Sequence, residues 1–196
     1  MENKKIVLDI LKEAEIAYAV LDDEDRLLRI LIHNSQKKQW MGAAKNKGLK
    51  QIKDKSGDVY LYGMDHFLYY DIDGERLIVC CQLACRSTLN GEWVPLDRKI
   101  NNGALDKAIY SEEDKAYAPG AEDFLCYLLA KCVYTEGGFS DSDKQRIEQC
   151  MSKTKKQVLM PKLEGVFFCF TEKLLQMLEA KDYDSIIEAL YRYAEY

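Results

Sequence analysis

Four acids stand in succession at Asp22, Asp23, Glu24 and Asp25. Such a charge run reads first as a solvated connection in a turn; in a shifted register Asp23 and Asp25, two residues apart, would share one face of a strand and be the candidate metal pair. Asp71-x-Asp73 has the same spacing, but Asp73-Gly74 is a two-residue hairpin signal, and the turn accounts for it better. His33 closes an apolar run and His66 stands before another, neither with a nucleophile indicated beside it. Cys80, Cys81 and Cys85 fall in "LIVCCQLAC". Arg86 is the one neighbouring cation that would activate a thiol, and packing as small buried apolar groups is the favoured reading. Lys45, Lys47, Lys50, Lys53 and Lys55 form a basic patch that reads first as a solvated surface and second as a contact for phosphate or an acidic partner. Tyr60, Tyr62, Phe67, Tyr69, Tyr70 and Trp93 either cover a sheet face or line a groove.

The elements that must position these groups follow from periodicity. Val7, Ile10, Leu11 and Ala14 recur at helical spacing, which predicts a helix over about 3–15. "IAYAVL" (16–21) and "RLLRILIH" (26–33) read as strands flanking the acidic turn. Ser35 is a plausible N-cap for a helix to about Lys47, with Trp40, Met41 and Ala44 inside and Gly48 as its C′ residue. "DVYLYG" (58–63) is a strand candidate. "HFLYYDI" (66–72) and "ERLIVCCQL" (75–83) form a hairpin around Asp73-Gly74, and "LIVCC", apolar on both faces, belongs in mid-sheet. The stretch from about 90 to 119, with Asn101-Asn102-Gly103, Pro95 and Pro119, reads as a linker. Beyond it Phe124, Leu125, Leu128, Leu129, Cys132 and Val133 make a helical stripe ended by Gly137-Gly138. Ser140 or Asp141 caps the next helix, and two more follow at about 162–180 and 183–194. The prediction is an α+β chain: an α/β lobe over 1–90, a linker over 91–119 and a helical lobe over 120–196.

The 196 residues are 47% hydrophobic and 31% charged, as in ordinary globular chains. A net charge of −5 speaks against a nucleic-acid partner. No apolar run reaches the length of a membrane span, and "MENKKIVLDILKEAEI" has no signal-peptide core, so the expected address is cytoplasmic and no membrane partner is expected. The seven cysteines are odd in number and include no CxxC, which fits reduced, buried thiols.

The order of these elements resembles the nucleotidyltransferase superfamily, and within it a group of small bacterial proteins, some linked to polysaccharide or capsule loci. That group has a strand of the type I-x-Y-V-V-L, an acidic motif of the type D-I-D-I-L-V, a helix, a hairpin ending in a third Asp, and later a helix of the type E-x-E-F-L-x-L-L-L-H followed by Gly and Phe. Here the matching stretches are "IAYAVL" (16–21), "RILI" (29–32), "FLYYDIDGERLIVCCQL" (67–83) and "GAEDFLCYLLAKCVYTEGGFS" (120–140). The resemblance implies a nucleotidyltransferase-like mixed sheet with flanking helices and a C-terminal helical bundle. It also implies metal acids, and in this alignment Leu27 and Arg29 stand in the place of the paired Asp. "CCQ" (80–82) stands where the third belongs, and Leu21-Asp22-Asp23 replaces the phosphate-cradling Gly-Ser turn.

The expectation is therefore a catalytically degenerate member, a pseudoenzyme keeping the fold as a binding or regulatory module for a nucleotide, a sugar phosphate or a protein partner. Arg29, His33, Tyr69 and Cys81 are its candidate cleft residues. No confident catalytic residue, metal or cofactor is assigned. The alternative is an active Mg²⁺-dependent nucleotidyltransferase using Asp23 and Asp25. A third reading is a self-associating scaffold, a homodimer among its forms, joined through exposed tyrosines including Tyr191, Tyr193 and Tyr196.

Overall fold

The computed structural model describes residues 2–52, 67–88, 91 and 93–194. The strand read at 58–63, His66, Tyr60, Tyr62, Lys53 and Lys55 lie outside the described residues, as does Tyr196. The chain is α+β and divides into two compact units, Met1–Leu83 with Asn101–Gly120 and Ala84–Ile100 with Ala121–Tyr196.

In the first unit the opening periodicity becomes α1 (Glu2–Glu13). Its Val7, Ile10 and Leu11 are buried. The Ile16 N–H bonds the Leu11 carbonyl, with Glu15 left-handed at φ 51°, so the helix stops in one residue and releases the chain into a strand. The sheet runs in the order β1 (Tyr18–Glu24), β2 (Leu27–Ile32), β5 (Glu75–Cys80), β4 (Phe67–Ile72), β3 (Lys50–Gln51). All its neighbours are antiparallel except β2 and β5. The apolar run predicted for mid-sheet is β5, the third of five strands, with Leu77, Ile78, Val79 and Cys80 all buried. Asp73 and Gly74 both take positive φ, 52° and 83°, as a tight β4–β5 turn requires.

Ser35 does not cap a helix. It lies in a 3-10 turn (Asn34–Gln36), and α2 (Lys37–Asn46) begins without a side-chain cap. The other end matches expectation: Gly48 has φ 79°, its N–H bonds the Lys45 carbonyl, and the Leu49 N–H reaches Ala44. Helices α1 and α2 bury one face of the sheet. Trp40 and Ala44 join Val7, Ile10 and Leu11 over Leu28, Ile30, Leu68, Tyr70, Leu77 and Val79.

The stretch 91–119 is not irregular. It holds β7 (Trp93–Pro95), α3 (Arg98–Asp106) and a hairpin of β8 (Ile109–Ser111) and β9 (Ala116–Ala118). Asn101 makes the difference legible. It is 5% exposed and its Oδ1 accepts the Leu83 N–H at 3.0 Å, so a residue typical of turns serves as a buried tie.

In the second unit β6 (Ala84–Arg86) pairs with β7. The predicted stripe is α4 (Ala121–Ala130), which widens into a π turn over Lys131–Glu136 and ends at Gly137, φ 63°. Ser140 caps α5 (Asp141–Lys153), accepting the Asp143 N–H. The helix expected over 162–180 is two: α6 (Lys156–Phe167), which starts earlier and contains Pro161, and α7 (Thr171–Glu179). They are parted at Phe168, whose φ of 50° no helix accepts. Helix α8 (Tyr183–Ala194) follows, and for Tyr191 and Tyr193 only its backbone is described.

Six of the seven cysteines are buried and Cys169 is exposed. Burial pushes the Cys126 thiol up to about 12 and Cys150 to about 11, and it raises Cys132 further. Alkylation of the native chain at pH 8 is expected to label Cys169 within minutes and the other six only on unfolding. Mass spectrometry showing two or more labelled cysteines in that first phase would contradict the packing described.

Candidate functional site

The acid-rich segment is not a free turn. Strand β1 continues through Asp22 and Asp23 to Glu24, and a two-residue loop, Asp25-Arg26, leads into β2. Acids are poor strand formers. Here the ladder to β2 and two cations hold them.

A bulge decides where they point. Val20 pairs with Ile30 but Asp22 pairs with Arg29, so Leu21 and Asp22 together oppose one residue. Before the bulge the odd residues of β1 share a face with the odd residues of β2, since Ala19 pairs with Leu31. After it the even ones do. The extra residue turns Asp22 onto the face of Arg29 and turns Asp23 to the opposite, α1-covered face, beside Leu28. Each acid meets a cation there. Arg29 Nη1 donates to Asp22 Oδ2 at 2.6 Å, with the Asp22 side chain 1% and the Arg29 side chain 19% exposed. Lys4 Nζ on α1 donates to Asp23 Oδ2 at 2.5 Å.

On the second face, ladder partners align in rows. Asp22, Arg29, Ile78 and Tyr69 form one row across β1, β2, β5 and β4. Ala19, Leu31, Cys80 and Phe67 form the next, all buried. Two sequence candidates, Arg29 and Tyr69, thus stand on one face with Ile78 between them, and Tyr69 is half-buried. His33 follows the end of β2, its Nε2 3.6 Å from Asp106 Oδ1. Cys81 is not a cleft residue: it is 1% exposed, in the core with Trp40 and Tyr70 on the helix-covered face. Cys80 and Cys85 are buried too, and Arg86 spends its Nε on the Gly91 carbonyl at 3.2 Å. In the basic patch Lys47 pairs with Glu13 at 2.7 Å. Asp22, the acid that engages Arg29, is the site residue that sequence reasoning missed. The signal lay in the chain: an acid and an arginine on facing strands.

Among the described residues, Asp23 and Asp25 fall in no group of three metal-type ligands. Among the described residues, Cys132, Glu136 and Asp143 alone form a group of three metal-type ligands within 4.8 Å of one another. Lys131 Nζ lies 3.1 Å from Glu136 and 3.4 Å from Asp143, so an ammonium already neutralises that cluster, and burial holds the thiol protonated. The donor set fits a helix cap and ion pair better than a cation site.

Among the described residues no helix is long and apolar enough to cross a membrane. No family model matches the chain and no curated protein matches it. Among solved structures, the lincosamide antibiotic adenylyltransferase LnuA with lincomycin bound is similar to 79% of this chain over 98% of its own, at 11% identity and a TM-score of 0.47. The antibiotic-resistance factor ANT(2'')-Ia, solved in solution, covers 100% of this chain and 99% of its own at 7% identity and a TM-score of 0.42.

Proposed function

We propose that the five-stranded unit is a nucleotidyltransferase-like binding module without transfer chemistry of its own. Its ligand is a nucleotide or a sugar phosphate, held over the second face of the sheet by Arg29 and Tyr69, with His33 at the end of β2. The observation that carries the reading is the Asp22–Arg29 pair. The family resemblance calls for carboxylates on β2. This chain has there a guanidinium, and the nearest acid is committed to it. Such a centre attracts a phosphate through the partly exposed face of the guanidinium and repels Mg²⁺. The alternative acids do not fill the gap, because Asp23 faces α1 and is bound by Lys4.

Titration of the full chain with the four ribonucleoside triphosphates and with sugar phosphates, with and without Mg²⁺, tests this. Binding is expected to change less than about twofold with the metal, with no pyrophosphate released. Pyrophosphate release that needs Mg²⁺ and is lost in Asp23→Ala and Asp25→Ala would overturn it in favour of an active transferase.

A further inference from the structure

The chain is acidic, with a net charge of −5, yet one groove of the five-stranded unit gathers four lysines beside three acids. Helix α1 forms one wall and the β8–β9 hairpin lines the other, and the groove encloses about 1200 Å³, room for a ligand of nucleotide size. Lys4, Lys5, Lys12 and Lys115 line it against Asp9, Glu15 and Asp114. Lys4 is committed to Asp23 and to the Asp114 carbonyl. The Asp114 carboxylate accepts the Ser111 hydroxyl at 2.8 Å. Among the described residues Lys5, Lys12 and Lys115 have no ion-pair partner. Lys115 sits in the hairpin turn at φ 52°, a conformation that favours glycine, so the chain keeps a long cationic side chain at a conformational cost.

Aromatic rings complete the groove. Tyr18 meets Tyr117 edge-on at 5.4 Å and 89°, and Tyr117 meets Tyr110 at 5.4 Å and 72°. Tyr110 and Tyr117 remain 45% and 42% exposed. Burial, reinforced by the other two phenols, lifts the Tyr18 hydroxyl above its ordinary range and keeps it a neutral donor.

We propose that this groove binds a phosphorylated ligand carrying a flat ring, the ring stacked on Tyr110 or Tyr117 and the phosphates met by Lys5, Lys12 and Lys115. Stacking accepts any planar ring, and ammonium groups recognise phosphate as point charges. The groove shares no residue with the Asp22–Arg29–Ile78–Tyr69 row, so the inference goes beyond the preceding reading.

Calorimetric titration of the full chain with ATP, tripolyphosphate and adenosine tests it. ATP is expected to bind at least tenfold more tightly than either fragment. Lys5→Glu with Lys115→Glu, and separately Tyr110→Ala, should each weaken ATP at least tenfold. Their melting temperatures should stay at that of the parent, since these side chains are exposed. Tripolyphosphate binding as tightly as ATP, or no ATP binding at millimolar concentration, overturns the proposal. So does ATP binding that is kept in the lysine variant and lost in Tyr69→Ala, which would place the nucleotide on the sheet face and support the earlier reading instead.

Discussion

Replacing Asp22 by alanine is expected to destabilise the five-stranded unit by about 3 kcal/mol, because it leaves a mostly buried guanidinium without its carboxylate. For a chain of this size that lowers the melting temperature by roughly 8 °C. Asp25→Ala, at an exposed loop position, should stay within about 0.5 kcal/mol of the parent. Asp22→Val combined with Arg29→Leu should recover most of the loss, since an apolar pair of similar bulk replaces a buried ion pair at little cost. Thermal and urea unfolding of the four proteins decides the matter. Equal melting temperatures for Asp22→Ala and Asp25→Ala would mean that the acid run is a solvated connection after all.

The other large effect is at Trp40. It is fully buried between α2 and the sheet, and its Nε1 donates to the Tyr70 hydroxyl at 3.1 Å, the rings crossing at 86° and 5.9 Å. Trp40→Ala is expected to cost about 4 kcal/mol, from lost burial and from a cavity that the sheet cannot close. Tyr70→Phe keeps the volume but strands the indole N–H, for about 1–2 kcal/mol. Burial pushes the Tyr70 phenol up to about 12. The folded value lies above the unfolded one near 10, so the stability it contributes is complete below pH 10 and is lost as pH rises from 10 through 12. Denaturant unfolding at pH 9 and pH 11 should therefore show a steeper fall for the parent than for Tyr70→Phe. Parallel falls would place the Tyr70 hydroxyl in water rather than against Trp40.

Residues with strong local preferences made much of this fold legible. The i, i+3, i+4 spacing of Val7, Ile10 and Leu11 gave α1, Asp73-Gly74 fixed a turn that only positive φ permits, and an unbroken "LIVCC" had to be covered on both faces. What sequence did not disclose was set by partners far along the chain. Asp22 and Asp23 have poor strand propensity, and Arg29 and Lys4 override it. Asn101 reads as a turn residue, and the Leu83 N–H makes it a buried acceptor in α3. Phe168 breaks α6 from α7 in a left-handed conformation that no residue type announced. Of the site candidates, Arg29 and Tyr69 lay on one face because alternation holds within β2 and within β4. Cys81 was misplaced because mid-sheet residues look alike on both faces.

The bulge at Leu21 also has a bearing on descent and design. In a strand, inside and outside are a matter of parity, and one inserted residue reverses it for everything downstream. A tolerance map of β1 would thus change sign at Leu21, with the odd position Ala19 buried before it and the even position Asp22 buried after it. The same frame sets how few steps separate this site from its opposite. With Asp22 already turned onto the second face, a carboxylate at position 29 would set two acids side by side across adjacent strands. A change at one residue would then exchange an ion pair for two neighbouring carboxylates, with the backbone left as it is.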